Sequence, residues 1–277
     1  MVIDCHTHIF PPSVIARREE FARRDPWFGE LYGAGVRMAA RDDLLHSMDR
    51  AGIDRAVVMG FGWKDAADCT PGNEYIMESA QRSDGRLLPF VTVVPGGDEA
   101  GGEIARWTGG GLHGIGELYA DSQGFSLESL DSLRDVIAAC LEHDLILCVH
   151  VTEPAGHAYA GKDGNGPAQV ASFVATMPEE LKLLLPHWGG GFGFYEMMPE
   201  IAARTANCLY DCAASHLLYD ERVYEVMSRL APGRVVFGSD YPLTGQGRML
   251  RRARAAGLAA DDLAALLGGN AVRAGLG

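Results

Sequence analysis

Two histidines separated by one residue, His6 and His8, close the short apolar run Met1-Val2-Ile3-Asp4-Cys5-His6-Thr7-His8-Ile9-Phe10. In an extended strand alternate side chains share a face, so the two imidazoles point the same way, about 6–7 Å apart along the backbone. Such a pair can hold one metal ion, each nitrogen at roughly 2 Å. A surface strand that happens to carry two histidines is the plain alternative. Further along, Glu117 follows Gly114-Ile115-Gly116, His150 follows Leu147-Cys148-Val149, His187 follows Leu184-Leu185-Pro186, and Asp240 follows Phe237-Gly238-Ser239. One histidine at a strand end is usually structural. Four histidines and two carboxylates, each closing an apolar run, call for partners or a metal, because a buried charge without either is costly.

The elements that must position these residues alternate. Strand-like runs fall at 1–10, 53–60, 87–94, 112–118, 145–151, 181–187, 207–213 and 234–240. Between them the spacing predicts helices over 42–51, 72–84, 126–143, 218–230 and 247–267, with Gly52 and Gly85 as stops. The helix over 126–143 would bury Leu127, Leu130, Leu133, Ile137 and Leu141. Residues 13–41 read as a helix with an irregular excursion. Strands joined through helices pair in parallel, and eight of them predict a closed (β/α)8 TIM barrel forming one domain over 1–277. A doubly wound open sheet is the alternative, weakened because no Gly-x-Gly-x-x-Gly follows the first strand. In a barrel, catalytic groups gather at the carboxyl ends of the strands, where these six residues fall.

Composition narrows the partners. A formal net charge of -13 repels phosphate backbones and anionic membranes, so neither nucleic acid nor a membrane is expected. Arg248, Arg251, Arg252 and Arg254 read as the solvated face of a late helix. No apolar run approaches 18 residues, and no basic-then-apolar leader is evident. The six cysteines form no Cys-x-x-Cys pair and read as small buried thiols of a cytoplasmic protein. His46 and His143 fall on helix surfaces, His113 starts a strand, and His216 lies in a loop.

With these residues in view, the chain resembles the amidohydrolase superfamily, in its amidohydrolase-related (amidohydrolase 2) branch, which includes aminocarboxymuconate semialdehyde decarboxylase, resorcylate decarboxylases and several lactonases. The resemblance rests on His6-Thr7-His8, His150, His187, Gly238-Ser239-Asp240-Tyr241-Pro242 and Gly269-Asn270-Ala271, and spans nearly the whole chain. It implies one divalent metal, usually zinc, held by His6, His8, His150 and Asp240, with His187 beside it. Glu117 departs from the one-metal pattern. In related enzymes a carboxylate ending the fourth strand bridges two ions, so a second metal through Glu117 is the other expectation. Dimers are common among such barrels by the same resemblance.

A zinc ion lowers the pKa of bound water from 15.7 to about 7. Asp240 is then the expected proton acceptor and His187 the expected helper at an oxyanion. Hydrolysis of an amide, lactone or ester of a small organic acid is the leading expectation. Non-oxidative decarboxylation or hydration of a small carboxylated ring or muconate-type compound comes second, and an inactive binding barrel third. Loops 61–72, 153–166 and 188–199 are expected to form the pocket. Trp188, His157, Lys162, Arg37, Trp63 and Tyr241 are the expected substrate contacts, and Phe192, Phe194 and Tyr195 add an aromatic cluster.

Overall fold

The first strand, β1 (Ile3–His8), carries Asp4 between Ile3 and Cys5 before its two histidines and is buried along its whole length. It pairs in parallel with β2 (Arg55–Met59), which pairs with β3 (Leu87–Val91). The series continues through β4 (Gly114–Leu118), β5 (Ile146–Val149), β6 (Lys182–Leu185), β7 (Cys208–Asp211) and β8 (Val235–Val236), every neighbour parallel and in sequence order. The computed structural model describes residues 1–97 and 99–277. β8 is only two residues long, yet the chain beyond it continues beside β1. Cys5 N donates to Phe237 O at 2.7 Å, Asp240 N to His6 O at 3.0 Å and His8 N to Tyr241 O at 2.7 Å. These bonds bring the eighth strand back to the first, and the fold is a (β/α)8 TIM barrel.

Strand alternation sorts the core in two. Ile3, Cys5, Val57, Met59, Leu88, Phe90, Ile146, Cys148, Leu184, Leu209 and Val236 fill the barrel interior. Ala56, Val58, Leu87, Ile115, Leu147, Leu183, Cys208 and Val235 face the surrounding helices. Period-two alternation from Cys148 and Leu209 carries His150 and Asp211 to the inward face. In β1 the register shifts between Asp4 and Thr7, so that His6 and His8 share the inward face although Ile3 and Cys5 precede them on it.

Several expected helices begin or end elsewhere. Residues 126–133 are turns, and the helix runs only over Arg134–Glu142. Ser126 Oγ accepts from Glu128 N at 3.1 Å and Ser129 Oγ from Asp131 N at 3.3 Å, local bonds that compete with helix formation. Leu141 is consequently exposed, whereas Leu127, Leu133 and Ile137 are buried. The second expected helix starts earlier, at Ala66, because Asp65 caps it by accepting from Ala67 N at 3.0 Å. The last one breaks into Gln246–Ala255 and Ala260–Ala264, with Gly257 between them at φ 74°. His216 lies in a short helix, Ser215–Leu218, rather than a loop. All six cysteines are free and buried. Among the described residues no helix is long and apolar enough to cross a membrane.

Candidate active site

The histidines and carboxylates singled out by their spacing do meet, at the carboxyl-terminal rim of the barrel, and each is fixed by its neighbours. His6 and His8 face each other with Nε2 atoms 3.1 Å apart. On the far side of each ring, His6 Nδ1 donates to Asp211 Oδ2 at 2.8 Å and His8 Nδ1 donates to Gly60 O at 3.0 Å. With both Nδ1 atoms donating outward, the two Nε2 atoms share the space between the rings, which a proton on His6 or a metal ion in its place can occupy.

The surrounding charge favours a cation there. Burial opposes a charge on His6, but the carboxylates of Asp211 and then Glu117 outweigh it and hold its pKa well above the ordinary value. His8 is pushed down by burial and by the charge on His6. Asp240, 7% exposed, sets Oδ1 3.9 Å from both Nε2 atoms. Its carboxylate takes no hydrogen bond among the described residues. Asp4 fixes the turn that carries it, accepting from Ser239 N and Gln246 Nε2, each at 2.8 Å. Burial pushes Asp4 up to about 6 against those hydrogen bonds.

Glu117 links this group to a second one. Its Oε2 lies 3.6 Å from His6 Nε2 and 3.5 Å from His8 Nε2, and accepts from Tyr119 OH at 2.8 Å. Its Oε1 accepts from His150 Nδ1 at 2.8 Å. Burial alone would raise its pKa, but the charges of His150 and His6 hold it well below the carboxylate range. The close approach needs Gly116, at φ 134°, where a Cβ would stand 2.3 Å from Cys148 O. Gly238 serves likewise on the opposite side, since a Cβ there would lie 3.0 Å from the Cβ of His6 and 3.1 Å from that of Asp211.

Ligand-capable atoms thus form two trios, His6 with His8 and Asp240, and Glu117 with His150 and His187, each within 4.8 Å of one another. The first trio suits a metal: two imidazole nitrogens 3.1 Å apart can both stand about 2.0–2.1 Å from one ion, with a carboxylate beside them. His150 falls in the second trio rather than beside His6 and His8. Its Nε2 faces Gly161 O at 2.9 Å while Nδ1 faces Glu117. Burial disfavours a charge on the ring, but Glu117 raises its pKa to about 9. As placed, both of its ring nitrogens face oxygen partners. His187 Nδ1 donates to Ala213 O at 2.9 Å, which leaves its Nε2 as an acceptor.

A family model described as Amidohydrolase matches residues 3–274. The chain belongs to the amidohydrolase family. No curated protein matches this amidohydrolase in sequence. In fold it is similar to the 5-carboxyvanillate decarboxylase of Sphingomonas paucimobilis, at 17% identity and a TM-score of 0.79 over 99% of this chain and 98% of that one. It is also similar to the 5-carboxyvanillate decarboxylase of Novosphingobium aromaticivorans, complexed with manganese and 4-hydroxy-3-methoxy-5-nitrobenzoic acid, at 17% identity, a TM-score of 0.74 and 99% and 95% coverage. A third likeness is to the 2,6-dihydroxybenzoate decarboxylase of Rhizobium, at 14% identity, a TM-score of 0.72 and 99% and 98% coverage.

Above the histidines of the amidohydrolase opens a cavity of about 400 Å³. His8, Glu117, His150, His187 and Asp240 form its polar end. Leu31, Tyr32, Val36, Tyr119, Leu217, Leu218 and Leu243 form most of its walls. Of the expected substrate contacts His157 lines this cavity, with Tyr159, Ala160 and Gly161 of the same loop. The others lie elsewhere. Trp188 is fully buried, its Nε1 donating to Ser215 Oγ at 2.5 Å and its ring edge-on to Tyr224. The backbone at His187 and Trp188 is left-handed, φ 54° and 60°, which takes the indole away from the mouth. Trp63 packs between Phe28 and Phe61. Tyr241 is buried and accepts from Arg37 Nη2 at 3.0 Å, while Arg37 itself is exposed. Lys162 Nζ donates to the carbonyls of Ala155 and His157, bracing their loop.

Loops 61–72 and 188–199 therefore supply none of the cavity lining; the segments 31–36, 214–218 and 243–244 take their place. Of the aromatic cluster, Phe192 is buried and Phe194 and Tyr195 are exposed. Asp211 and Tyr119 were not among the expected residues. Asp211, fully buried, aligns His6 through Oδ2 and receives His187 N at 3.1 Å and Ala213 N at 2.8 Å on Oδ1. Its position at the inward end of β7 was the available signal.

Proposed function

We propose that this amidohydrolase-family enzyme is a non-oxidative decarboxylase of a small, oxygen-substituted aromatic acid, dependent on a divalent cation such as zinc or manganese. The observation that carries this reading is the cavity: apolar walls of ring size end in His8 and Asp240 of the first trio, and among the described residues no lysine or arginine lines it. A substrate carboxylate entering such a space needs a cation to neutralise it. The solved decarboxylases of the same fold agree with this class of substrate.

His6, His8 and Asp240 would hold the cation, which when bound supplies the charge that neutralises the carboxylate and polarises it. The remaining work falls to the chain. Asp211 and the Gly60 carbonyl keep the Nε2 atoms of His6 and His8 turned inward. The leucines exclude water from the ring. Asp240 relays a proton to the ring carbon that bears the carboxylate, the electron pair coming from the ring, enriched by an adjacent oxygen substituent. The bond to the carboxylate carbon then breaks, its electron pair restores the aromatic ring, and carbon dioxide leaves. Asp240 recovers a proton from water. Positioned proton transfer of this kind contributes about 10²–10⁴-fold.

A second reading, hydrolysis of a lactone or ester, is favoured by one feature: the Asp240 carboxylate has no hydrogen-bond partner among the described residues and is free to act as a base. Incubation of the purified enzyme with a panel of hydroxybenzoates and aryl lactones separates the two. Release of carbon dioxide, with one equivalent of decarboxylated arene, is the expected result. Lactone opening without carbon dioxide release from any acid would replace the first reading by the second.

A further inference from the structure

We infer that Tyr32 positions the substrate, its hydroxyl donating a hydrogen bond to an oxygen substituent of the ring in the cavity that Asp240 shares. Tyr32 ends the helix Pro26–Tyr32, which Asp25 caps by accepting from Trp27 N at 3.0 Å and Phe28 N at 3.2 Å. Its ring is held by Phe10, edge-on at 4.6 Å, by Phe28, stacked at 5.7 Å, and by Phe61, edge-on at 6.1 Å. The residue is 1% exposed and lines the cavity together with His8, Glu117 and Asp240.

What sets Tyr32 apart is its hydroxyl. Tyr119 spends its own on Glu117, and Tyr241 accepts from Arg37. Tyr32 has no hydrogen-bond partner among the described residues, and its hydroxyl is not among the side-chain atoms sealed from solvent, so it is open to the cavity that the residue lines. The packed ring cannot swing away to find one. Burial, then the charges of Asp240 and Glu117, push its pKa well above the phenol range, so the group remains a donor. A ligand oxygen in the cavity is the partner the geometry leaves open. With the carboxylate end of a substrate held at the histidines, Tyr32 gives a second anchoring point and selects acids that carry oxygen on the ring.

The inference rests on the reading of the cavity as the site of an aromatic acid, and binding rather than turnover tests it. Calorimetric titrations of the holoenzyme and its Tyr32→Phe variant with 2-hydroxybenzoate and with benzoate differ only in one oxygen on each side. Phenylalanine keeps the ring contacts, and near-ultraviolet circular dichroism checks the fold. The expected result is a loss of about tenfold in affinity for 2-hydroxybenzoate with benzoate changed less than about twofold. Equal weakening for both probes, or no change for either, overturns the role of Tyr32. If that difference is seen while the wild-type enzyme releases no carbon dioxide from any acid, Tyr32 stands and the decarboxylase reading falls. Carbon dioxide release without the difference gives the reverse.

Discussion

Replacing Asp211 by asparagine tests how the site prepares its lone pairs. The change is nearly isosteric, and the two backbone donors that bind Oδ1, His187 N at 3.1 Å and Ala213 N at 2.8 Å, keep an acceptor in the amide oxygen. The atom that changes character is the one facing His6 Nδ1 at 2.8 Å. An amide nitrogen there is a donor opposite a donor, and the ring relieves the conflict by moving its proton to Nε2. That proton then occupies the lone pair meant for a cation. Loss of such an outer partner typically costs about 10–100-fold in metal affinity, equivalent to about 1.4–2.7 kcal/mol. Dialysis against a competing chelator, followed by elemental analysis of metal content, measures the affinity, and a thermal melt of the metal-free protein supplies the control. A variant that binds zinc and manganese within about twofold of the wild type would refute the claim that Asp211 sets the His6 tautomer.

Glu196, away from the site, accepts from Tyr210 OH at 2.5 Å, Thr205 Oγ1 at 2.7 Å and Arg234 Nη1 at 2.7 Å. Burial works to raise its pKa, but Arg234 and the two hydroxyls hold it below the ordinary 4.5. Its stabilisation is therefore complete above the unfolded-state pKa and is lost as pH falls through the folded one. Glu196→Gln is expected to destabilise the protein by about 3 kcal/mol at pH 7. In denaturant titrations that difference should shrink below pH 4.5; a difference independent of pH would show that the charge contributes nothing. Trp188→Phe removes the hydrogen bond to Ser215 and part of the contact with Tyr224. It should lower stability by about 1–2 kcal/mol and leave KM unchanged, whereas a raised KM would return the indole to the substrate pocket.

The strand-end rule made much of the site legible. Glu117, His150, His187 and Asp240 lie where closure of eight strands required, and Asp211 was open to the same reasoning as the last residue of an inward-facing strand. What escaped depended on contacts distant in sequence. Tyr32 lies in the stretch 13–41, whose irregular pattern says nothing about its place over the barrel mouth. The resemblance implies His150 beside His6 and His8, whereas its nitrogens face Gly161 O and Glu117 within the second trio. Trp188 reads as a pocket residue because it follows a strand-end histidine; two left-handed residues in succession turn it into the core. Residues 126–133 carry helical periodicity that Ser126 and Ser129 break through bonds of their own.

The most direct measurement is anomalous scattering from crystals of the metal-loaded enzyme, recorded on both sides of the zinc or manganese edge. A single strong peak about 2.0–2.2 Å from Nε2 of both His6 and His8, with an Asp240 oxygen in reach, is the expected result. A peak elsewhere, or none at full occupancy of the surrounding side chains, would contradict the assignment of the cation to these residues.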